Sequence, residues 1–175
     1  MKKLSSVLAI GMVLAASSAF ASDGTINITG EVSAVTCTIN SGTKNITVNL
    51  PKVPTTALPS GQTAGRTQFQ IALTGCTNST GKSARAYFEP GTGSGVSAVG
   101  RLLNTGTATN VSLELLDSNY ALINPNDNID KPQSAQLVPL VSGAGTLTYY
   151  AQYYSFGTVT PGSVNASINY SIHYQ

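Results

Sequence analysis

The residues most able to do chemistry lie in a few short stretches, and each also has a structural reading. Residues 75–83 read Gly-Cys-Thr-Asn-Ser-Thr-Gly-Lys-Ser, which ends like a phosphate-binding loop. Five residues separate Gly75 from Gly81 where that motif needs four, and no helical pattern follows to aim a dipole at phosphate. A Gly-x-Gly run at Gly93 to Gly95 lacks the strand-helix-strand context of a dinucleotide site and reads as a flexible loop. A serine nucleophile would need a base, and His173 is the one imidazole of the chain. Its neighbours Ile172 and Tyr174 belong to the inward row of a strand, so His173 faces outward. Asp127 and Asp130 lie in a turn-rich loop and read as solvated, and Asp23 is close to the start of the exported chain. Asn-x-Ser/Thr triplets at Asn27, Asn45, Asn78, Asn110, Asn165 and Asn169 arise readily in a chain so rich in these residues. No catalytic residue, cofactor site or metal site is expected.

Cys37 and Cys76 are the only cysteines, and the N-terminus decides how they are read. Met1-Lys2-Lys3, an apolar run from Val7 to Ala16, and Ala19-Phe20-Ala21 compose a secretory signal peptide over residues 1–21. The run is shorter than the roughly 20 residues needed to span a bilayer. In an exported chain two lone cysteines read as one disulfide, closing a loop worth on the order of 4 kcal/mol. Removing residues 1–21 leaves 154 residues with seven Lys and Arg against seven Asp and Glu. A neutral chain with no basic cluster argues against nucleic acid as a partner.

These residues sit in a chain built for strands. Charged residues make up 9% and hydrophobic residues 41%, with 17 Gly and 8 Pro; Ser, Thr, Asn and Gly replace the missing charge, a composition that favours strands and turns. Period-two rows recur at Ile26, Ile28, Gly30 and Val32; at Phe69, Ile71 and Leu73; at Ala84, Ala86 and Phe88; and at Val111, Leu113 and Leu115. Turn-rich stretches separate them, at 78–81, 91–95, 124–127, 142–145 and 161–162. Residues 92–100 are a weak candidate for one turn of helix, because Gly93, Gly95 and Gly100 oppose it. Six to eight short strands with one disulfide predict an antiparallel sandwich in a single domain.

The two termini are the informative part. Val164, Ala166, Ile168, Tyr170, Ile172 and Tyr174 form one apolar row on the last strand of the sequence, with no later strand to cover its edge. At the other end residues 24–33 alternate in the same way with no hairpin partner nearby. Each terminus reads as incomplete alone.

Together these marks resemble the major pilin subunits of bacterial chaperone–usher fimbriae of the type 1 kind. The resemblance rests on the penultimate Tyr174, Gly162 fourteenth from the end, Ala151-Gln152-Tyr153, the Pro161-Gly162 turn, Gly30 in the N-terminal row, and the Cys37/Cys76 pair. Leu50, Val53, Phe69, Ile71, Leu73 and Cys76 also follow the family's spacing between the cysteines. Only three residues of the exported chain precede Thr25, short beside many type 1 subunits.

The resemblance implies an incomplete immunoglobulin-like sandwich of six strands, residues 34–175, preceded by a donor-strand extension, residues 22–33. It implies that Ile26, Ile28, Gly30 and Val32 insert into a neighbouring subunit. Gly162, Val164, Ile168, Tyr170, Ile172 and Tyr174 would form the receiving groove edge and contact a chaperone. The implied partners are a periplasmic pilus chaperone, an outer-membrane usher and further copies of the subunit, in a chain exported through the periplasm to an extracellular fimbria that serves adhesion. A minor adaptor or tip subunit of the same kind of pilus is the alternative. From another class, a secreted sandwich-fold lectin or hydrolase stays open, although the chain has neither Trp nor an acid cluster for a ligand.

Overall fold

The computed structural model describes residues 32–90, 95–127, 133 and 136–175. The expected signal segment and the expected donor-strand residues Ile26, Ile28 and Gly30 lie outside the described residues, as does Asp130; Val32 is exposed. One compact unit runs from Ser33 to Gln175.

Among the described residues the unit is all-β, an immunoglobulin-like arrangement of two antiparallel sheets. The strands are β1 (Thr36–Ile39), β2 (Thr63–Thr77), β3 (Ser83–Glu89), β4 (Leu102–Leu103), β5 (Val111–Leu116), β6 (Leu122–Ile123), β7 (Val138–Pro139), β8 (Gly145–Ser155) and β9 (Asn169–Tyr174). The larger sheet runs β1-β2-β8-β5-β4, with β6 also on β5, and the smaller runs β7-β3-β9. Six strands have four residues or more, as expected, and three are two-residue pairs that the alternation could not resolve. The only helical pieces described are single 3-10 turns at Asn40–Gly42 and Thr55–Ala57. Residues 95–100 form no helix; Val96 makes a bridge to Leu102 and the chain turns at Gly100.

The inward rows of both sheets meet in one core. Phe69 lies opposite Tyr149 and Ile71 opposite Leu147 in the β2–β8 ladder, while Leu115 faces Ala151 in β5–β8. Ala84, Ala86 and Phe88 supply the inner row of β3, and Tyr149, Phe88, Ile71, Leu73, Ile123 and Leu147 are fully buried. Tyr149 ties the two sheets together: its ring meets Phe88 edge-on at 5.1 Å, and its hydroxyl accepts the Ala86 N–H at 3.0 Å. That N–H lies on the edge of β3 where β7, which pairs only Ser83 and Ala84, has already stopped. Further along, the Gln133 amide replaces a strand, accepting from Phe88 N–H at 2.8 Å and donating to its carbonyl at 2.7 Å. Buried backbone groups need partners, and where a strand ends side chains supply them.

The outer face of the larger sheet carries a polar chain. Arg66 donates to Gln152 Oε1, Gln152 donates to Glu114 Oε2, and Arg101 donates to Glu114 Oε1 at 2.7 Å while lying 3.5 Å from the Tyr154 ring centroid. The Glu114 carboxylate is thus buried only with two donors on it.

The cysteines form the expected disulfide, Cys37–Cys76, with an S–S distance of 2.06 Å. It joins β1 to β2. The phosphate-loop lookalike is the connection from β2 to β3: Cys76 is bonded to Cys37, and a strand follows rather than a helix. His173 packs its ring on Tyr87 at 5.2 Å on the outer side of the smaller sheet. Among the described residues no group of three His, Cys, Asp or Glu could hold a metal.

Candidate functional site

The chain leaves β1 through Asn40, Ser41 and Gly42, all at positive φ (45°, 54° and 100°). Asn and Gly are the residues that tolerate this region best, and Asn40 is held there by the Ala72 N–H on its Oδ1 at 2.7 Å. Residues 44–50 then run beside the core in no sheet. Their exposure alternates, with Ile46, Val48 and Leu50 half-buried against the core and Asn45, Thr47 and Asn49 exposed. This is the burial pattern of a strand, yet among the described residues no backbone hydrogen bond is made by residues 45–50. The ends are pinned by tyrosines: Tyr170 donates to the Lys44 carbonyl at 2.7 Å and Tyr153 to the Pro51 carbonyl at 3.3 Å.

The C-terminal segment mirrors it. Val164, Ala166, Ile168 and Tyr170 are half-buried, and Ser163, Asn165, Ser167 and Asn169 are exposed. The strand ladder covers less of this segment than the apolar row suggested, because β9 begins at Asn169, where its partner β3 ends at Glu89. Before that point the chain leans on the loop 104–108: Thr105 N–H donates to the Asn165 carbonyl at 2.8 Å and Ala108 N–H to the Ser163 carbonyl at 3.0 Å. Gly162 makes this contact possible, since a Cβ there would lie 2.4 Å from the Ala108 nitrogen.

The hydrogen-bond parity of this segment is consistent along its length. Ser83 and Gln175 exchange both backbone bonds, at 2.8 and 2.9 Å. In an antiparallel ladder such pairs alternate, so His173, Ser171 and Asn169 turn their backbone groups toward β3 as well. Asn165 and Ser163 turn theirs toward the loop. The N–H and C=O groups of the even-numbered residues 164–174 therefore point to the opposite edge, the same residues whose side chains are turned inward.

Between the two segments lies a groove of about 600 Å³. Its rims are Lys44, Ile46, Val48 and Leu50 on one side and Ala166, Ile168 and Tyr170 on the other; its floor is apolar, with Phe69, Ile71, Leu113 and Ala151 among the residues beneath. One end is drawn together by two tyrosines of the same row. Tyr170 reaches Lys44 as above, and the Tyr174 hydroxyl lies beside the Cys37 backbone. Burial pushes the phenol pKa of both upward, and for Tyr174 the Cys37 backbone opposes that rise. Both hydroxyls therefore stay protonated at neutral pH.

The expected edge residues thus fall into three places. Ile168 and Tyr170 line the groove itself. Ile172 and Tyr174 lie beyond its closed end, packed against the core opposite Ala86 and Ala84. Val164 is half-buried and Gly162 sits on Thr107 and Ala108, short of the groove. Sequence reasoning missed the other rim, although the alternation Ile46, Val48, Leu50 signalled it.

Two lengths of chain side by side, with strand-like burial and an apolar floor between them, can accept one extended segment, whose backbone would bond to the rims and whose alternate side chains would fill the floor.

The family model described as fimbrial protein matches residues 26–175. The chain is 36% identical over 181 residues to the F17 fimbrial protein of Escherichia coli, covering all of both chains. It is 41% identical over 162 residues to the major fimbrial subunit SMF-1 of Stenotrophomonas maltophilia, covering 88% of this chain and 94% of that one. In fold it is similar to the P pilus rod subunit PapA, with a TM-score of 0.62 at 15% identity over 79% of this chain and 99% of that one. Family match, full-length relatives and an immunoglobulin-like sandwich with one disulfide agree, and the chain belongs to the fimbrial protein family as a structural subunit of an extracellular pilus.

Proposed function

We propose that the subunit polymerises by donor-strand exchange: its groove receives the N-terminal extension of a neighbouring copy, residues 22–33, after a periplasmic chaperone has occupied the same place. The observation that carries this reading is the apolar groove flanked by two segments of strand-like burial. Ile26, Ile28 and Val32 are the pegs for the floor, and Gly30 lets the inserted backbone come close where the floor is shallow. Burying three aliphatic side chains is worth roughly 5 to 8 kcal/mol before the backbone ladder is counted, so a fibre holds without covalent links. The role is structural rather than enzymatic, and the chain passes through the periplasm to an outer-membrane usher. Chain-long similarity to a major subunit favours the shaft over an adaptor or tip position.

The test adds a synthetic peptide of residues 22–34 to chaperone-bound subunit. Displacement of the chaperone with a raised melting temperature is expected, and a peptide with no effect would remove this segment from the mechanism. Ile28→Asp would place an unpaired carboxylate in the groove, costing several kcal/mol; chaperone-bound monomer should accumulate while polymer does not. Tyr174→Ala and Ile172→Ala should lower chaperone co-purification, because both lie on β9, the edge strand of the smaller sheet that continues the groove rim.

A further inference from the structure

The donor segment and the rim beside which it would lie are matched in charge. In a chain with only 9% charged residues, the rim is bounded by Lys44 and Lys52, with no charged residue between them. The extension is bounded by Asp23 and Glu31, again with none between. The two spacings are equal, eight residues each. The C-terminal rim, residues 163–175, has no Asp, Glu, Lys or Arg, so of the two rims only the lysine side carries charged side chains of these types.

Both lysines are exposed, and neither side chain has a hydrogen bond or ion pair among the described residues, whose one ion pair is Arg101–Glu114. Their backbone positions are nevertheless fixed, because Tyr170 holds the Lys44 carbonyl and Tyr153 holds that of Pro51, next to Lys52. An extended chain rises about 3.3 Å per residue, so each charge pair spans about 26 Å. The long lysine stems can swing to either face at the ends of the groove.

Resting on the donor-strand reading above, we propose that Lys44 and Lys52 set the register and the choice of the incoming segment by pairing with Asp23 and Glu31 of a second copy of this chain. Apolar pegs at every second residue fix register only to within a slip of two, since such a slip again presents apolar residues to the floor. The charges distinguish the slips. Orientation follows from the ladders. Tyr170 contacts Lys44 and Tyr174 contacts Cys37, so the two rims run antiparallel. A strand between them is antiparallel to one and parallel to the other. Every ladder among the described residues is antiparallel, and β9 offers the regular edge. A segment antiparallel to β9 runs parallel to residues 44–52, which sets Asp23 beside Lys44 and Glu31 beside Lys52.

The test follows assembly of purified, full-length exported chains by light scattering at low salt, with the melting temperature reporting that each variant is folded. Exposed pairs are individually weak; reversing both should slow assembly about tenfold in Lys44→Glu/Lys52→Glu and equally in Asp23→Lys/Glu31→Lys. The fourfold variant, with both ends reversed, should return to within about twofold of the natural chain. At roughly 1 M salt, where the Debye length is about 3 Å, the differences should vanish. Among single swaps, Asp23→Lys should rescue Lys44→Glu, and Glu31→Lys should not. Reversals without effect, a fourfold variant no faster than the double ones, or rescue by the wrong partner would overturn the charge match. Assembly that persists after deletion of residues 22–32 would instead overturn the donor-strand reading, and this proposal with it.

Discussion

Replacing Tyr149 by Phe removes one oxygen and leaves the ring, so it isolates the hydroxyl that bonds the larger sheet to the smaller. The Ala86 N–H would lose its acceptor at 3.0 Å in a fully buried place, with β7 too short to offer another. An unsatisfied buried donor costs about 1–3 kcal/mol, and we expect Tyr149→Phe to destabilise by about 1.5 kcal/mol. The ring contacts with Phe88 at 5.1 Å and Phe69 at 5.8 Å should survive in this variant. Tyr149→Ala loses them too and should cost about 3–5 kcal/mol. Reversible urea unfolding of the oxidised subunit, followed by far-UV and near-UV circular dichroism, measures both. The alkaline limb adds an independent readout. Burial raises the Tyr149 pKa in the folded state, so the folded chain holds this proton more tightly than the unfolded one. The associated stability is complete below the unfolded value of about 10 and is lost as pH rises above it. Tyr149→Phe should flatten that loss. A change within about 0.3 kcal/mol of the natural chain, or an unaltered alkaline slope, would refute the assignment of the hydroxyl as the tie between sheets.

Other expectations follow from the same contacts. Replacing Cys37 and Cys76 together by Ala opens a loop with a separation of 39 residues and should cost about 4 kcal/mol in the loop-entropy treatment, read as the shift in urea midpoint between oxidised natural chain and variant. Gly162→Ala forces the chain away from Thr107 and Ala108 and should destabilise by about 1–3 kcal/mol, visible as a lower melting temperature and faster exchange of the Thr105 and Ala108 amides. Arg101→Met leaves the Glu114 carboxylate with Gln152 as its remaining donor. Allowing for the partial exposure of Arg101, a loss of about 2 kcal/mol is expected at pH 7. Much of it should be recovered by adding Glu114→Gln, as a double-mutant cycle would report.

The sequence by itself determined the class of the fold and its covalent tie. Alternation at Phe69, Ile71 and Leu73 or at Ala84, Ala86 and Phe88 is a local property: a period of two selects strand, and the inward side follows from which residues are apolar. An export signal with two cysteines left one pairing. The apolar row from Val164 to Tyr174 likewise marked a segment with one face turned inward. Only the tertiary structure decided which part of that row lines the groove. Whether an even-numbered residue faces groove, core or loop depends on which distant chain lies beside it, and β3 ends at Glu89, so Ile172 and Tyr174 fall beyond the groove while Ile168 and Tyr170 line it. The second rim was present in the sequence as Ile46, Val48 and Leu50, but alternation cannot say whether a strand is paired. That depends on Asn40, Ser41 and Gly42 turning the chain out of β1, and on Tyr170 and Tyr153, more than a hundred residues away, holding the carbonyls at its two ends. The short strands β4, β6 and β7 were equally invisible, since two residues have no period. They exist because long-range neighbours supply their hydrogen bonds, and hydrogen-bond partners are a property of the folded chain.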